Sequence, residues 1–195
     1  MDYEKFKKQM DFLLEIDKAK KIVRQTYISD ASRQENDAEH SWHMAVMAFL
    51  LAEYFDSPDV FKTIKMVLIH DLVEIYAGDT YCYDESGYED KEKRETESAK
   101  KLFGLLPEGQ EKEFFELWRE FEDMQTKEAV FASILDRLQP LMLNYAAKGI
   151  SWLEHGIISG QVRKRDAIFK NGPEVINKYL EEVLSESIKK GYMIK

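Results

Sequence analysis

Two histidines and three carboxylates sit at positions where a packed helix would ordinarily carry apolar side chains. His40 lies at the start of a segment that continues through Trp42, Ala45, Val46, Phe49, Leu50 and Leu51. At ~100° per helical residue, His70, Asp71 and Glu74 share one stripe of a segment otherwise filled by Leu68, Ile69, Leu72, Val73, Ile75 and Tyr76. One turn earlier that stripe holds Met66 and Val67, which a solvated face would not favour. Asp136 has Ala129, Ala132, Gln139, Pro140 and Leu143 as helical neighbours, opposite a broad face of Val130, Phe131, Ile134, Leu135, Leu138, Leu141 and Met142. A carboxylate so placed needs a partner, because desolvating it alone is costly. Arg24 or Arg137 would serve, and so would a metal ion. Together His40, His70, Asp71 and Asp136 make a set of two nitrogen and two oxygen donors suited to a first-row divalent ion. Glu74, one turn beyond the adjacent His70–Asp71 pair, falls where a base for an activated water belongs. His43 and His155 read as ordinary hydrogen-bonded core residues.

The elements that must position these groups read as helices throughout. Apolar residues recur at three- and four-residue spacing, and alternating β-branched runs are absent. A first amphipathic helix is expected over 3–24, with Phe6, Met10, Leu13, Leu14 and Ile22, followed by a polar loop over 27–37. Asn36 and Glu39 resemble a capping box, so a second helix should run from near Asp37 to about Tyr54. A third is expected over 59–77 with Gly78 as its C-terminal cap. Residues 79–89 read as an irregular, mobile loop. Helices follow over 90–103, 107–123 and 127–147, the last expected to kink near Pro140. One or two shorter helices over 151–170 precede a final one from Pro173 to about Lys190. With no repeat, linker or low-complexity tract, residues 1–195 are expected to form one all-α domain.

Composition narrows the classes of function. The 195 residues carry 37 Asp plus Glu against 28 Lys plus Arg, a net charge of −9, which disfavours a nucleic-acid polymer or an anionic membrane as partner. The single cysteine, Cys82, cannot form an internal disulfide or a cysteine-rich zinc site, and points to a reducing compartment. The charged first residues lack the apolar core of a signal peptide, so a cytoplasmic location is expected. The longest apolar run, Met44 to Ala52, is too short to span a bilayer. No two of the nine glycines are separated by a single residue, which excludes GxGxxG, and no Walker loop is present.

His40, the pair His70-Asp71 and the distant Asp136 resemble the H…HD…D signature of the HD-domain metal-dependent phosphohydrolases. The surrounding segments, ENDAEHS (35–41), LIHDLVEIYAGDT (68–80) and ILDRLQP (134–140), look like the small single-domain branch that includes bacterial 5′-deoxyribonucleotidases. The resemblance covers roughly residues 10 to 185 and implies a single HD-domain helical bundle. It also implies metal ligation by His40, His70, Asp71 and Asp136 and activation of the attacking water by Glu74. Asp79, in the Gly-Asp-Thr turn, would position the leaving group. Arg24 would bind phosphate, with Arg33 a second candidate for the phosphate or for ordering the loop. In that branch an aromatic residue follows the arginine; here Gln25 does, and the interval from Arg24 to His40 is one residue longer. Members of this size are commonly homodimers. Binuclear relatives recruit extra histidines between the HD pair and the last Asp, whereas residues 72–135 contain none, so one ion is expected.

The expected reaction is hydrolysis of a phosphomonoester, most naturally a nucleoside 5′-monophosphate or a similar small phosphorylated metabolite. The expected cofactor is one divalent transition metal ion (Mn, Co, Ni, Fe or Zn). Two alternatives remain at this point: hydrolysis of a phosphodiester or pyrophosphate signalling nucleotide, and a non-catalytic helical module stabilised by its metal. An intact Glu74 beside the ligand set argues against the second, since a binding module has no need of a base there.

Overall fold

Capping chemistry written into the sequence sets most helix boundaries. The computed structural model describes residues 2–84 and 86–194; Met1, Glu85 and Lys195 lie outside the described residues. α1 (Tyr3–Ile16) opens at Asp2, whose carboxylate accepts from the Lys5 backbone N–H. A 3₁₀ turn over Asp17–Lys21 then leads into an antiparallel hairpin of β1 (Val23–Tyr27) and β2 (Gln34–Asn36). The first helix is therefore shorter than the expected 3–24, and Arg24 belongs to a strand instead of a helix end. The reason is local: Val23, Thr26 and Tyr27 suit an extended chain, and beyond Ile22 no apolar stripe continues to hold a helix. Phe12 is the buried residue of α1, while Phe6, Leu13 and Leu14 face outward, the reverse of the expected stripe.

α2 (Asp37–Leu51) starts with the complete Asn36–Glu39 capping box and passes into a 3₁₀ turn over Ala52–Tyr54. α3 (Val60–Ile69) is capped by Asp59. The helix expected over 59–77 is interrupted: His70–Val73 tightens to 3₁₀ geometry before α4 (Glu74–Ala77), which ends at Gly78 with φ +78°. The segment that follows is irregular, with a 3₁₀ turn over Ser86–Tyr88. α5 (Lys91–Phe103), α6 (Glu108–Asp123, entered through Pro107) and α7 (Lys127–Ala146, capped by Thr126) come next. α7 continues as helix through Pro140. α8 (Ile150–Glu154), α9 (Ser159–Arg165), a 3₁₀ turn over Asp166–Asn171 and α10 (Glu174–Lys190) complete the chain. Among the described residues the fold is all-α apart from the hairpin and an isolated bridge between Ile158 and Ile194.

α7 is the axis of the core. Phe131, Ile134, Leu135, Leu138 and Leu141 pack with Met44 and Met47 of α2, Met66 and Val67 of α3, and Leu117 and Phe121 of α6. A second cluster, of Phe12, Val73, Leu102, Phe103 and Trp118, fixes α1 and α5 beside the 3₁₀ break. Gly149 (φ +72°) lets the chain turn closely around the C-terminal segment: a Cβ there would lie 1.8 Å from the Tyr192 carbonyl oxygen. Among the described residues no helix is long and apolar enough to cross a membrane.

Candidate metal centre

Two imidazoles are turned the same way by different devices. His40, in the first turn of α2, is fully buried, and its Nδ1 lies 3.0 Å from Gln139 Oε1 on α7. The Gln139 amide is itself oriented, because its Nε2 donates to Glu35 Oε1 at 2.5 Å. His70, where α3 gives way to the 3₁₀ turn, has its Nδ1 3.0 Å from the Val67 carbonyl oxygen. Both partners can only accept, so each Nδ1 carries a proton and each Nε2, once free of its own, offers a lone pair.

Those Nε2 atoms face carboxylates. Asp136 Oδ1 lies 3.2 Å from His40 Nε2 and 3.7 Å from His70 Nε2. Asp71 Oδ2 lies 3.1 Å from His70 Nε2 and 3.8 Å from His40 Nε2. His40, His70 and Asp71 each offer a ligand atom within 4.8 Å of the others. A divalent cation fits this donor set, and it would satisfy His70 Nε2, which is buried without a hydrogen-bond partner. The second coordination requirement, acceptors holding the imidazole N–H groups, is met by Gln139 and Val67.

The 3₁₀ break explains the company Asp71 keeps. In such a turn residues i and i+3 eclipse, which brings Glu74 into line with Asp71. Asp37, at the start of α2, completes a group whose carboxylate oxygens lie within 4.8 Å of one another. Asp37 and Glu74 are buried, and each keeps one carboxylate oxygen without a partner. Arg24 reaches in from β1, its Nη1 2.6 Å from Asp71 Oδ2 and 3.3 Å from Asp37 Oδ1.

Burial and neighbouring charges shift the titration of the carboxylates and of His70 in this cluster. Burial, with Asp71 and Asp37 beside it, pushes the Glu74 carboxyl well above the ordinary range. Burial and Asp71 push Asp37 up to about 7 against the opposing pull of Arg24. Asp79 is raised too, chiefly by burial. Asp71 and Asp136 go the other way: burial opposes their charge, but His70 and Arg24 for the former, and both histidines for the latter, hold them below the usual carboxylate values. Burial also opposes charge on His70, yet Asp71 and Asp136 outweigh it and lift the group to about 10. A cation at this point would take over the role that these protons fill.

The centre forms one wall of a cavity of about 270 Å³ that Arg24, His70, Asp71, Glu74, Asp79 and Asp136 all line. Gln25, Tyr81, Lys91, Glu122, Arg137 and Arg165 are among the residues that line the remainder. The structure does not bring Arg33 to this cavity. Its guanidinium forms a two-pronged pair with Glu39, at 2.7 and 2.8 Å, outside the start of α2. His43 has a hydrogen-bonding neighbour in Gln139, as read from the sequence. His155 is not the core residue expected: it is exposed, against the Tyr81 ring and 3.1 Å from Gln25 Oε1. Sequence reasoning missed Glu35, Asp37 and Gln139. Gln139 had left a signal, since it shares a helical face with Asp136 three residues before it.

Comparison with known proteins agrees with this geometry. Residues 16–176 match the family model of the HD domain. The chain is 31% identical over 134 residues to the 5′-deoxynucleotidase HDDC2 of Homo sapiens, covering 68% of this chain and 65% of that protein. The Mus musculus protein of the same name is 32% identical over 132 residues, covering 67% and 65%. The chain thus spans a little under two thirds of the length of these curated relatives. Among solved structures, one described as a predicted metal-dependent phosphohydrolase from Magnetospirillum magnetotacticum superposes with a TM-score of 0.93 at 46% identity, covering 98% of this chain and 96% of that one. The PH0347 protein of Pyrococcus horikoshii gives a TM-score of 0.65 at 26% identity, covering 93% and 99%.

Proposed function

The chain belongs to the HD-domain family, and from that premise we propose that it is a metal-dependent phosphohydrolase acting on a nucleoside 5′-monophosphate or a similarly small phosphorylated metabolite. The observation that carries this reading is the convergence of two Nε2 atoms and two carboxylates, from three separate places in the sequence, beside a cavity that also holds Arg24 and Glu74. One divalent transition metal ion (Mn, Co, Ni, Fe or Zn), held by His40, His70, Asp71 and Asp136, supplies Lewis-acid activation of water and of a phosphoryl oxygen when bound.

The chain's own residues do the rest in this reading. Glu74 takes the proton of the attacking water at its unpartnered Oε2. Arg24 offsets charge on the phosphoryl oxygens. Asp79, beside them in the cavity, orients the leaving oxygen. Arg33 braces the loop ahead of α2 through Glu39 instead of meeting the substrate.

The test begins with elemental analysis of purified protein. Phosphate release from a nucleotide panel is then measured with Mn²⁺, Co²⁺, Ni²⁺, Zn²⁺ or Mg²⁺ added. One equivalent of bound ion and ion-dependent release of phosphate are expected. No bound ion and no release with any metal would overturn the reading.

A homodimer is part of the same proposal. Trp42, Val46, Phe49 and Leu50 recur at helical spacing on α2, and Trp42 and Phe49 are 65% and 74% exposed. A contiguous apolar face of that kind favours burial against a partner, and a second copy is the partner proposed. Sedimentation should give twice the chain mass, and Phe49→Asp should halve it. The acidic surface argues against polymeric nucleic acid, and the lone Cys82 supports the cytoplasm as its location.

A further inference from the structure

Arg137 follows Asp136 on α7 and lines the same cavity as Arg24. Main-chain carbonyls hold its guanidinium: Nε donates to Arg165 O at 3.2 Å and Nη1 to Ser133 O at 2.9 Å. Carbonyl groups orient a cation without cancelling its charge. Among the described residues the carboxylate nearest it is that of Asp136, whose Oδ2 stands 3.7 Å from Nη1, beyond hydrogen-bond reach. Arg165, the adjacent cation, is different. Its Nε pairs with Asp166 at 2.5 Å, and its Nη2 donates to Arg137 O at 2.8 Å, so it braces Arg137 while its own charge is met.

Each carboxylate beside the imidazole pair therefore has its own guanidinium, Arg24 at Asp71 and Arg137 at Asp136. An ion that takes up the charge of Asp71 and Asp136 releases Arg137 and leaves Arg24 only its longer contact with Asp37, at 3.3 Å, so both guanidinium groups can meet an anion in the cavity. A phosphomonoester has three non-bridging oxygens, one for the ion and one for each arginine; a phosphodiester has two. Resting on the phosphohydrolase reading above, we propose that Arg24 and Arg137 form a two-arginine clamp on the phosphoryl group, which selects a terminal phosphomonoester over a diester.

Binding of inorganic phosphate to the Mn²⁺-loaded protein, followed by calorimetry, tests the clamp apart from turnover. Dimethyl phosphate serves as the diester probe, and Arg163→Gln, on the exposed pair with Glu181, as the control. Arg137→Gln keeps hydrogen-bond donors but removes the charge. It should retain one equivalent of Mn²⁺ and bind phosphate ~10-fold or more weakly, the scale of a lost charge-assisted hydrogen bond. Its weak binding of dimethyl phosphate should not change. Arg137→Lys, which keeps the charge but offers no planar fork, should fall between the two, and it decides the matter if Arg137→Gln does not fold. Phosphate binding within twofold of the parent by the folded variants, with Mn²⁺ retained, would overturn the clamp alone. Failure of the Mn²⁺-loaded parent itself to bind phosphate would overturn the phosphohydrolase reading and the clamp with it.

Discussion

In the proposed reaction Glu74 stays free of the ion and faces the water, and its surroundings suit that division of labour. It shares a line with Asp71 but adjoins Asp37 and Arg24, while Asp136 stands against the two imidazoles. Replacing Glu74 with Ala should leave the ion stoichiometric and cut turnover by ~10²-fold or more, the scale of a lost general base. Asp136→Ala should instead lose the ion, read by elemental analysis. Gln139→Leu removes the acceptor that fixes the His40 N–H, and metal affinity should drop ~10- to 100-fold in a competition titration. His40, His70, Asp71 and Asp136 could be found in the sequence because each interrupts an apolar surface. Asp37 and Glu35 could not: acidic residues ahead of a helix N-terminus are ordinary, so nothing in the sequence set these two apart.

Helix boundaries were largely readable because caps are local chemistry. Asn36 and Glu39 satisfy each other's backbone N–H groups, and the helix they open presents His40 one residue later. Asn36→Ala should destabilise the fold by about 1 kcal/mol, the usual cost of a lost N-cap, seen as a lower denaturation midpoint. Metal affinity should weaken in the same variant, since the first turn of α2 would fray. Two elements were not legible. β1 and β2 are too short to show a period, and they exist because Asp37 and Ile22 join across their base, with the Asp37 N–H donating to Ile22 O at 3.2 Å. The tightening at His70–Val73 is set by packing of Val73 in the second core cluster, with Ser98 Oγ bonded to the Val73 carbonyl. A wheel drawn at ~100° per residue could not foresee it.

At the scale of the whole molecule, the centre joins elements that the rest of the core approaches from different sides. α2, α3 and α7 pack on one another, and each ends up with a charged or ionisable group at the same point. An ion bound there stabilises the folded state by mass action, by about 2.7 kcal/mol at one hundred times its dissociation constant. Dialysis against a chelator should lower the thermal midpoint, and adding Mn²⁺ back should restore it. That restoration should shrink on going from pH 7.5 to pH 5.5. His70, lifted to about 10 by its carboxylates despite burial, must release a proton to bind, so acidification favours the proton over the ion. The hairpin bears on how such a chain tolerates change over evolution. Val23 is paired with Asn36, which fixes Arg24 next to Asp37, whereas the turn between Tyr27 and Gln34 contacts nothing in the centre. Insertions and deletions in that turn should therefore pass selection, while a single residue gained between Gln34 and His40 should not. The count of residues separating the arginine from the histidine is thus a poor guide to ancestry, and the pairing at the hairpin's base is the quantity that descent has to preserve.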